Sequence, residues 1–470
     1  MAEIRADYQQ GWMFPPTLEE LVPADHPARF IREVVDELDL EGLGFRQRES
    51  EVGRPNYAVD LLVRVWLYGY MLRIRSTRAL ERACHDNLAV LWLAGRHTPD
   101  HLTLWRFLRD NQAALQQLFR EVVRLAAKSG LVGLVLHAVD GTKIEAASAT
   151  ATGLHKRGLE RALERAEEEA AAYVRDAERS EQEESGEYRL PAELQDAEER
   201  KRRLRAALAE LEQEEREHKH PLEPEARMVK LAGGGVRFGY NAQIVADEQS
   251  GLIVAQDVVV EETDNAQLTP MLEQVMAVLG QAAAETVADG GYASGAQLSA
   301  AEAAGFAVTV PLPRQCRAEH PYHASRFEYD AEQNTCRCPR GIALEFERVK
   351  RNGRTGETLQ VFRCRAFRDC PVRAECSRDP RGRMVEIGPH RAALLRQLKK
   401  QDDVEVRQKM RRRGVIGETP FAGIKHHAQF RRWMLRRIDG ARTQWALVCT
   451  AFDLAKLLPA WRAGRLLLQA

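Results

Sequence analysis

Apolar residues repeat at helical spacing through the first 130 residues of the chain. Residues 57–73 form one strongly apolar stretch, and residues 99–128 carry leucine and valine at near-helical spacing. We therefore expect both ranges to be helical, with Ser76 as the N-cap of another helix between them. Short helices joined by short turns suit a helix-turn-helix-like unit. A helical module for dimerisation or packing fits the same pattern equally well.

Residues 154–225 show a second helical pattern. The segment is rich in Glu, Arg, Ala and Leu, and its apolar residues alternate three- and four-residue steps in two runs, with Gly186 and Pro191 between them. This pattern predicts a helical hairpin that resembles an antiparallel coiled coil and is inserted into another domain. A solvated charged hairpin with no further role is the simplest interpretation.

Strand-like patterns surround this hairpin. An apolar, β-branched run begins at residue 131 and then presents Asp140, which predicts a buried strand with a carboxylate at its end. A later strand ends in Asp289 and is followed by a Gly-Gly turn. The elements predicted after the hairpin are strands over 237–248 and 251–262, a helix over 265–279, a strand over 285–289, a helix over 297–304 and a strand over 306–313.

The last third of the chain changes character. Residues 316–385 are irregular in pattern, rich in arginine and contain most of the cysteines. Residues 390–412 are helical and basic, and residues 418–460 predict one or two further helices. Without the hairpin at 154–225 and the cysteine-containing segment at 316–385, which we take as insertions, the order of elements predicts a compact α/β unit with helices packed on a central sheet.

Composition and charge narrow the class of protein. The 470 residues are 44% hydrophobic and 29% charged, as in ordinary globular proteins, and 69 Lys and Arg balance 69 Asp and Glu. The balance hides a segregation, because residues 154–225 carry 14 basic against 22 acidic residues and residues 396–442 carry 14 against 5. The second segment is a basic patch of the kind that meets phosphate backbones. No membrane span and no signal peptide are readable, so we expect a cytoplasmic protein without membrane contact.

Three carboxylates stand where a charge is costly unless it is paired, hydrated or bound to a metal. Asp140 and Asp289 end predicted buried strands, and Glu418 lies near the start of a predicted basic helix. If the three converge, their oxygen atoms suit one or two Mg²⁺ ions, which keep open positions for a substrate phosphate and water. Each of them singly is more often a helix cap or a surface residue.

Five of the eight cysteines cluster between residues 336 and 376. In an intracellular protein such a set indicates a structural zinc site that anchors a loop-rich segment, and free buried thiols are the alternative. Cys84 and Cys449 have apolar helical neighbours and are expected in cores. Cys316 has no assignment.

The third feature is the basic segment around Glu418. This segment presents one carboxylate beside phosphate-binding side chains, or the carboxylate is merely the partner of an arginine. Phe430 and Trp433 could stack on an extruded base, but their helical spacing favours core packing. The basic residues of the segment are Arg411, Arg412, Arg413, Lys425, Arg431, Arg432, Arg436 and Arg437.

Together, and in this order, the motifs resemble a DDE transposase encoded by a bacterial insertion sequence. The segments LVPADHPARFI, residues 53–87 and residues 92–111 resemble the helical domain of this family. VDGTKIEAAS, ADGGY and GETPFAGIKHHAQFRRWMLRR resemble its first, second and third acidic motifs. The similarity runs over nearly the whole chain. The group that the chain resembles has a YREK-type third motif and a cysteine-bearing insertion before the final acidic residue.

The resemblance implies an RNase H-like catalytic core, in agreement with the predicted element order. It also implies a division of the chain into domains. These are a helical N-terminal DNA-binding or dimerisation domain (1–130), two parts of the core (131–153 and 226–315), the inserted charged hairpin (154–225), the cysteine-containing insertion (316–388) and C-terminal helices of the core that carry the third acidic residue (389–470).

The resemblance further implies the chemistry. Asp140, Asp289 and Glu418 correspond to the catalytic triad, which binds Mg²⁺, with two ions expected. The implied activity is DNA strand cleavage by metal-activated water at the terminal inverted repeats. Attack of the freed 3′-OH on a second phosphodiester then joins the strands. The implied partners are double-stranded DNA, as transposon ends and as target, and a second copy of the chain in a dimeric synaptic complex. The implied location is the nucleoid.

The family pattern also assigns DNA contacts, and this chain departs from it in two places. Lys425, seven residues after Glu418, corresponds to the lysine that contacts transposon-end phosphate. The YREK pattern expects Tyr and Arg seven and four residues before the Glu, where this chain has Arg411 and Gly414. The further DNA-binding candidates are Arg411, Arg412, Arg413, Arg431 and Arg432.

The second departure concerns the cysteines. Relatives often carry a CxxC pair where this chain has Phe367, Arg368, Asp369 and Cys370, so Cys364 replaces the missing ligand. The candidate zinc ligands are therefore Cys338, Cys364, Cys370 and Cys376, with Cys336 as an alternative.

Two other functions compete with transposition. A non-catalytic, domesticated transposase acting as a DNA-binding repressor would keep the basic helix and the N-terminal module. The presence of all three acidic positions disfavours this alternative. A structural or scaffold role through the hairpin at 154–225 is the third hypothesis.

Overall fold

The computed structural model describes residues 17–46, 55–148, 154–181, 192–213, 217–312, 320–353 and 355–468. The interpretations of Gly186, Pro191 and Cys316 lie outside these residues. The chain forms two compact units. Unit 1 comprises Met1–Leu131, Glu145–Ala226 and Gly423–Ala470, and unit 2 comprises Val132–Ile144 and Arg227–Ala422. The segment from residue 389 to the C-terminus is thus divided between the units.

Unit 1 begins with six helices. Ser76 is the N-cap of the third, as predicted. The helical pattern predicted over 99–128 is confirmed, as two helices. They are separated at Asn111, which leaves the helical conformation at φ −118° and whose Nδ2 donates to the Phe107 carbonyl over 2.9 Å. The helices are α1 (Pro27–Asp36), α2 (Val59–Met71), α3 (Thr77–Asp86), α4 (Leu88–Leu93), α5 (His101–Asp110) and α6 (Gln112–Lys128).

The long pair of charged helices also lies in unit 1. Helices α7 (Lys156–Glu181) and α8 (Ala192–Gln213) pack against each other, and the short strands β2 (Leu154–His155) and β3 (His218–Lys219) pair antiparallel beside them. The predicted pair of helices is confirmed. The seam is formed by small and aliphatic residues at the predicted spacing, namely Leu159, Ala166, Leu204, Ala207 and Leu211.

Helix α14 (Arg437–Arg462) supplies much of the core of unit 1. Buried residues lie on nearly all sides of this helix, which packs on α2 and α6. Phe430 and Trp433 are each 1% exposed and lie against Trp445, with ring centroids 5.2 to 6.1 Å apart. Their core interpretation is therefore confirmed, and so is that of Cys84 and Cys449, which are fully buried.

The main sheet of unit 2 has six strands in the order β4-β5-β1-β7-β8, with β6 also paired to β5. Strands β1, β7 and β8 are parallel, whereas β4 and β6 run antiparallel to β5. Most of β5 is buried without alternation, as expected for a strand covered on both faces. The strands are β1 (Leu136–Glu145), β4 (Arg227–Lys230), β5 (Val236–Asp247), β6 (Ile253–Val259), β7 (Glu285–Ala288) and β8 (Val308–Thr309).

Four helices accompany this sheet: α9 (Leu268–Leu279), α10 (Gly295–Ala303), α12 (Arg391–Lys400) and α13 (Val404–Ala422). The prediction that one helix ends at residue 412 and another begins at 418 is wrong. Helix α13 is continuous and Glu418 lies near its C-terminal end, because Ile416 and Phe421 bury its apolar side despite the weak helix formers Gly414 and Gly417. A π-helical turn, Gly423–His427, follows in unit 1. No helix among the described ranges has an apolar stretch long enough to cross a membrane.

The cysteine-rich segment is a second sheet, which corrects the prediction of an irregular region. Its five antiparallel strands follow chain order and enclose an apolar core of Phe327, Leu344, Phe362, Val385 and Ile387. The strands are short and their other face is charged, so the alternation is hard to read in the sequence. The elements are β9 (Glu328–Asp330), β10 (Thr335–Arg337), β11 (Ala343–Arg351), β12 (Thr358–Arg363), helix α11 (Arg373–Cys376) and β13 (Met384–Ile387).

Candidate active site

Strand register brings Asp140 and Asp289 side by side. Strand β1 pairs in parallel with β7 from Leu136 opposite Glu285 to Val139 opposite Ala288. The next residue along each strand is one of the two aspartates. The prediction that Asp140 ends its strand is wrong. Asp140 lies in the middle of β1, because the strand continues through Gly141 to Glu145.

Backbone amides orient both carboxylates. Asp140 Oδ1 accepts a hydrogen bond from the N–H of Gly141 over 2.9 Å. Asp289 Oδ1 accepts the N–H of Gly291 over 2.7 Å and so caps the short 3-10 turn that follows β7. Each aspartate therefore has one oxygen fixed by its own loop or strand.

Helix α13 brings the third carboxylate to the same place. A Cβ atom added at Gly417 would lie 2.9 Å from Asp140 Cβ and 3.0 Å from Asp140 Oδ2, so the helix backbone approaches β1 more closely than a side chain allows. Glu418 is the next residue, and its side chain is exposed. The sequence prediction placed Glu418 at the start of a helix, whereas the fold presents it from the last turns of α13.

An ion pair and an apolar contact hold α13 on the sheet. Lys409 Nζ lies 2.5 Å from Glu285 Oε2 at the start of β7, and Thr309 of β8 donates to Glu285 Oε1 over 2.6 Å. Met410 and Ile416 pack on Leu136, Ala138, Ala246 and Val287 of the sheet. The helix that carries Glu418 is thus fastened to the strand that leads to Asp289.

The site concentrates negative charge in a partly dry environment. Burial raises the pKa of Asp140 to about 6, and the charges of Asp289 and Glu418 act in the same direction, while the Gly141 N–H and Arg413 oppose them. The only cation paired with Asp140 among the described residues is Arg413, whose Nη1 lies 4.0 Å from Asp140 Oδ2. Three carboxylates against one distant guanidinium favour a bound cation.

The chemistry of this donor set fits Mg²⁺, which takes carboxylate oxygens. The side chains do not, however, form a closed ligand group, since no cluster of three or more His, Cys, Asp or Glu among the described residues is arranged to hold a metal ion. Asp289 and Glu418 are nevertheless close enough to Asp140 for their charges to raise its pKa.

A fourth acidic residue, Asp264, was missed in the sequence analysis. Lys143 Nζ lies 3.0 Å from its Oδ1 and 3.2 Å from its Oδ2, while Asn241 Nδ2 and Gln243 Nε2 donate to Oδ1 over 2.8 and 2.7 Å. A Cβ atom at Gly141 would lie 2.8 Å from Asp264 Oδ1. Asp264 therefore supports the backbone directly after Asp140.

Asp264 also approaches the loop after Asp289. A Cβ atom at Gly291 would lie 3.6 Å from Asp264 Oδ2 and 2.8 Å from Asp289 Oδ1. Tyr292, the next residue, is buried, and its hydroxyl donates to Gln243 Oε1. Burial, together with the charges of Asp264, Asp140 and Asp289, raises the pKa of Tyr292 well above its usual value, so the hydroxyl stays protonated as a donor.

A signal for this network was present in the sequence. Asn241 and Gln243 stand two positions apart within an otherwise apolar strand, and both are fully buried. Amides in such a strand need hydrogen-bond partners, and alternate positions share one face of the sheet. The partner comes from the segment before α9, which sequence periodicity alone does not place.

The predicted DNA-binding residues are divided between the two units. In unit 2, Arg412 pairs with Glu248, Arg413 faces Asp140, and Arg411 is exposed. In unit 1, Arg432 donates to the carbonyls of Ala146 and Ala147 over 3.1 and 2.9 Å, while Arg431 lies on the surface beside Lys425 and His426. Arg412, Arg431 and Arg432 thus have protein partners, and all three are exposed, as is Arg411.

The candidate zinc ligands share one end of the five-stranded sheet. Cys336 and Cys364 belong to its buried core, against which Cys338 and Cys376 pack. Burial raises the pKa of Cys364 and of Cys376, and the charges of neighbouring cysteines, Cys370 among them, act in the same direction. The thiols are therefore close neighbours, but they too form no closed ligand group in the described ranges. Zinc binding stays a prediction.

Two family models match parts of the chain. Residues 16–110 match a transposase domain (DUF772), and residues 337–458 match a transposase DDE domain. The first match spans the helices α1 to α5, and the second includes Glu418 and most of the cysteine sheet. Asp140 and Asp289 lie between the two matched ranges. No curated protein matches the chain.

Proposed function

The chain belongs to the DDE transposases of insertion sequences, and on this premise we propose that it binds the terminal inverted repeats of its element. We propose further that it catalyses Mg²⁺-dependent cleavage of DNA strands and their transfer to a target. The observation that supports this most is the convergence of Asp140, Asp289 and Glu418 from two parallel strands and one helix. Structural carboxylates are usually paired with a nearby cation, whereas among the described residues the one ion pair of these three joins Asp140 to Arg413 over 4.0 Å.

Asp140, Asp289 and Glu418 would hold the metal. When bound, Mg²⁺ would lower the pKa of an attacking water or hydroxyl and stabilise charge on the leaving oxygen. The chain's own contribution is to fix one oxygen of Asp140 and one of Asp289 through the amides of Gly141 and Gly291. The other oxygens and the exposed Glu418 then remain available for the metal.

Asp264 acts in this proposal as a positioning residue. Lys143 offsets its charge, and hydrogen bonds from the Asn241 and Gln243 amides occupy its Oδ1, so it is a poor candidate for a metal ligand. It lies instead against the backbone at Gly141 and Gly291, next to the two aspartates. Phosphoryl transfer depends on positioning to within fractions of an ångström, and such a support contributes to rate without touching the substrate.

We also propose that the six-stranded sheet is an RNase H-like core, with the helical hairpin and the cysteine sheet as insertions. The order β6-β5-β1-β7-β8, with an antiparallel start and parallel end, supports this assignment. We propose in addition that the chain forms a dimeric synaptic complex on DNA and is located at the nucleoid. In this proposal Lys425, Arg411 and Arg431 bind DNA.

A repressor without catalysis is the second candidate function. The absence of the YREK tyrosine and arginine, replaced by Arg411 and Gly414, favours it. The repressor hypothesis predicts binding to the terminal repeat without strand cleavage in any divalent metal.

One experiment separates the two candidates. A labelled duplex with the element's own terminal repeat is incubated with the wild-type chain and with Asp289→Asn, in Mg²⁺ and in EDTA. We expect nicking at the repeat boundary only with wild type and Mg²⁺. Binding of the repeat without nicking in Mg²⁺ or Mn²⁺ would replace the transposase proposal by the repressor. Cleavage by Asp289→Asn would remove this residue from the site.

A further inference from the structure

A cavity of about 430 Å³ opens in unit 1 between the C-terminal end of α2, the π-helical turn and α14. This is within the size range of small-ligand sites, roughly 300–1,000 Å³. Its wall is apolar, and the half-buried ring of Phe452 forms part of it. The other apolar lining residues are Met71, Ile424, Val448, Ala451 and Pro459.

The lining also contains three cations. Arg73, Arg75 and Lys456 border the cavity together with His427, and no Asp or Glu of the described residues does. In the part of the chain that the structure describes, none of these four side chains forms an ion pair with a carboxylate. A concave site with several uncompensated cations selects an anion.

Arg75 is the most constrained of the four. It is half buried, its guanidinium lies 5.2 Å from the centroid of the Phe430 ring, and Nη2 donates to the carbonyl of Ala428. Its Nε is buried without a hydrogen-bond partner among the described residues. A buried donor of a charged group costs free energy unless an acceptor reaches it, so this atom calls for a polar ligand or an ordered water.

Backbone strain marks the same place. Arg73 has φ 66° directly after the C-cap of α2, a left-handed position that glycine usually occupies. A π-helical turn, which is frequent at functional sites, forms the opposite wall. A Cβ atom at Gly423 in that turn would lie 2.8 Å from Phe452 Cε2, so the turn lies directly on the aromatic ring.

We propose that this cavity binds one unpaired nucleotide of the DNA. The phosphate would lie against Arg73, Arg75 and Lys456. The base would pack on Phe452 in the place of the Lys456 ammonium, which lies over this ring 5.8 Å from its centroid. An aromatic ring beside cations is the usual arrangement for single-stranded nucleic acid, because each base has a π-face and each linkage a charge. The inference rests on the proposed function, since it takes DNA as the substrate, but it concerns a site in unit 1 that is separate from the carboxylates.

The test uses the full chain and two fluorescein-labelled strands of about twelve units, one of oligothymidine and one of abasic deoxyribose phosphate. Binding is followed by anisotropy in EDTA over a range of salt concentrations. The variants are Phe452→Leu, Lys456→Gln and Arg73→Gly, and the matched control is Lys128→Gln. Lys128 is an exposed lysine of the same unit, on α6 and outside the cavity lining.

We expect wild type to bind oligothymidine more tightly than the abasic strand. Phe452→Leu should weaken oligothymidine binding about fivefold or more and leave the abasic strand unchanged. Lys456→Gln and Arg73→Gly should weaken both strands and lower the salt slope by about 0.7 each, whereas Lys128→Gln should not. Arg73→Gly should also leave the melting temperature equal or higher, because glycine relieves the strain at φ 66°.

Two results would overturn the inference. One is equal binding of the two strands by wild type and by Phe452→Leu. The other is that Arg73→Gly and Lys456→Gln behave like the control. Since this assay contains no Mg²⁺, its outcome does not depend on catalysis. Cleavage of the repeat together with unaffected variants would reject the cavity alone, and cavity binding without any cleavage would reject the proposed transposase activity alone.

Discussion

Two clusters of reactive side chains in unit 2 differ in what surrounds them. Asp140 meets the other carboxylates beside a buried strand, where burial raises its pKa to about 6 and the neighbouring negative charges add to the effect. Cys336 and Cys364 lie in an apolar core with Phe327 and Phe362, an environment that suits a protonated thiol. The fold therefore brings the carboxylates together although their burial and their mutual repulsion oppose the charged form. The thiols lie in surroundings that suit them.

This difference shows what counts as evidence for a site. A thiol in an apolar core is explained by packing alone, so proximity of cysteines says little about function. Packing alone does not explain a buried carboxylate beside two others. The fold holds Asp140 there through a close helix contact at Gly417 and a polar network around Asp264, which indicates a functional site.

The largest effect is expected from Gly417→Ala. The added methyl would lie 2.9 Å from Asp140 Cβ, so α13 must move away from β1 and carry Glu418 with it. We expect cleavage of the terminal repeat to fall about a hundredfold or more, because misplacement by 1 Å is enough for such a loss. The matched control is Gly414→Ala on the same helix, where the nearest atom to a new Cβ is Glu418 Oε1 at 3.6 Å.

Gly414→Ala should keep activity and gain slightly in helix stability. Cleavage assays and thermal melts of both variants would check this. Equal activity of Gly417→Ala and wild type would show that the close contact between α13 and β1 is not needed, and the contrast with the cysteine cluster would fail.

The second effect concerns Asp264. Asp264→Asn removes the charge that pairs with Lys143 and leaves the amides of Asn241 and Gln243 facing another amide. We expect the turnover rate to fall roughly 10- to 100-fold with little change in DNA affinity, as for other residues that orient a ligand shell.

Lys143→Gln should give a similar loss, and the double variant should be no worse than either single one, since the two residues form one ion pair. Additive losses would mean that Lys143 acts elsewhere, for instance on the substrate. A loss of DNA affinity in Asp264→Asn with an unchanged rate would remove its positioning role.

The cysteine half of the contrast is tested by two serine substitutions. Cys336 is fully buried, so Cys336→Ser places a hydroxyl in an apolar core and should lower the free energy of unfolding by about 1–3 kcal/mol. Cys370 is only partly buried, and Cys370→Ser should cost less. Chemical denaturation of the full chain measures both. The reverse order would point to zinc, because removal of a metal ligand outweighs burial, and metal analysis of the wild type would then be decisive.

Sequence patterns predicted the sheet and its aspartates because local signals were strong there. The apolar run before Asp140 and the Gly-Gly turn after Asp289 mark strand and turn directly, and both aspartates lie beside each other in β-sheet register. Glu418 was harder, since the glycines at 414 and 417 weaken the helical pattern, and its place on α13 is set by packing on β1. Helix propensity is a weak prior that such tertiary contacts override.

The rest depended on contacts between distant parts of the chain. Asp264 lies in a polar segment before α9, and nothing in its neighbourhood predicts that Lys143, 121 residues earlier, will pair with it. The cysteine sheet has strands of three to nine residues with one charged face, which is too short and too polar for a clear alternation. The cavity beside Arg73 joins helix ends that are more than 300 residues apart, as the hydrogen bond from Arg75 to Ala428 shows.

The smallest effect is expected at Glu285, which lies outside the carboxylate cluster. Burial alone raises the pKa of Glu285, but hydrogen bonds from Lys409 and Thr309 outweigh it and hold the pKa below its ordinary 4.5. The folded state therefore binds this proton less tightly than the unfolded state. The pair contributes stability above pH 4.5, and this contribution is lost as the pH falls through the lowered pKa.

Glu285→Gln should accordingly cost about 1 kcal/mol of unfolding free energy at pH 7, since the pair is partly solvated, and progressively less as the pH falls through the lowered pKa. Because Lys409 holds α13 on β7, the variant should also lower cleavage several-fold at neutral pH. The control is Glu302→Gln, which breaks the Glu302–Arg396 ion pair between α10 and α12. It should show a similar loss of stability with pH but no loss of cleavage. If both variants cleave alike, the apolar contacts of Met410 and Ile416 are sufficient to anchor α13. The Glu285–Lys409 ion pair would then be a purely structural feature, like the buried cysteines.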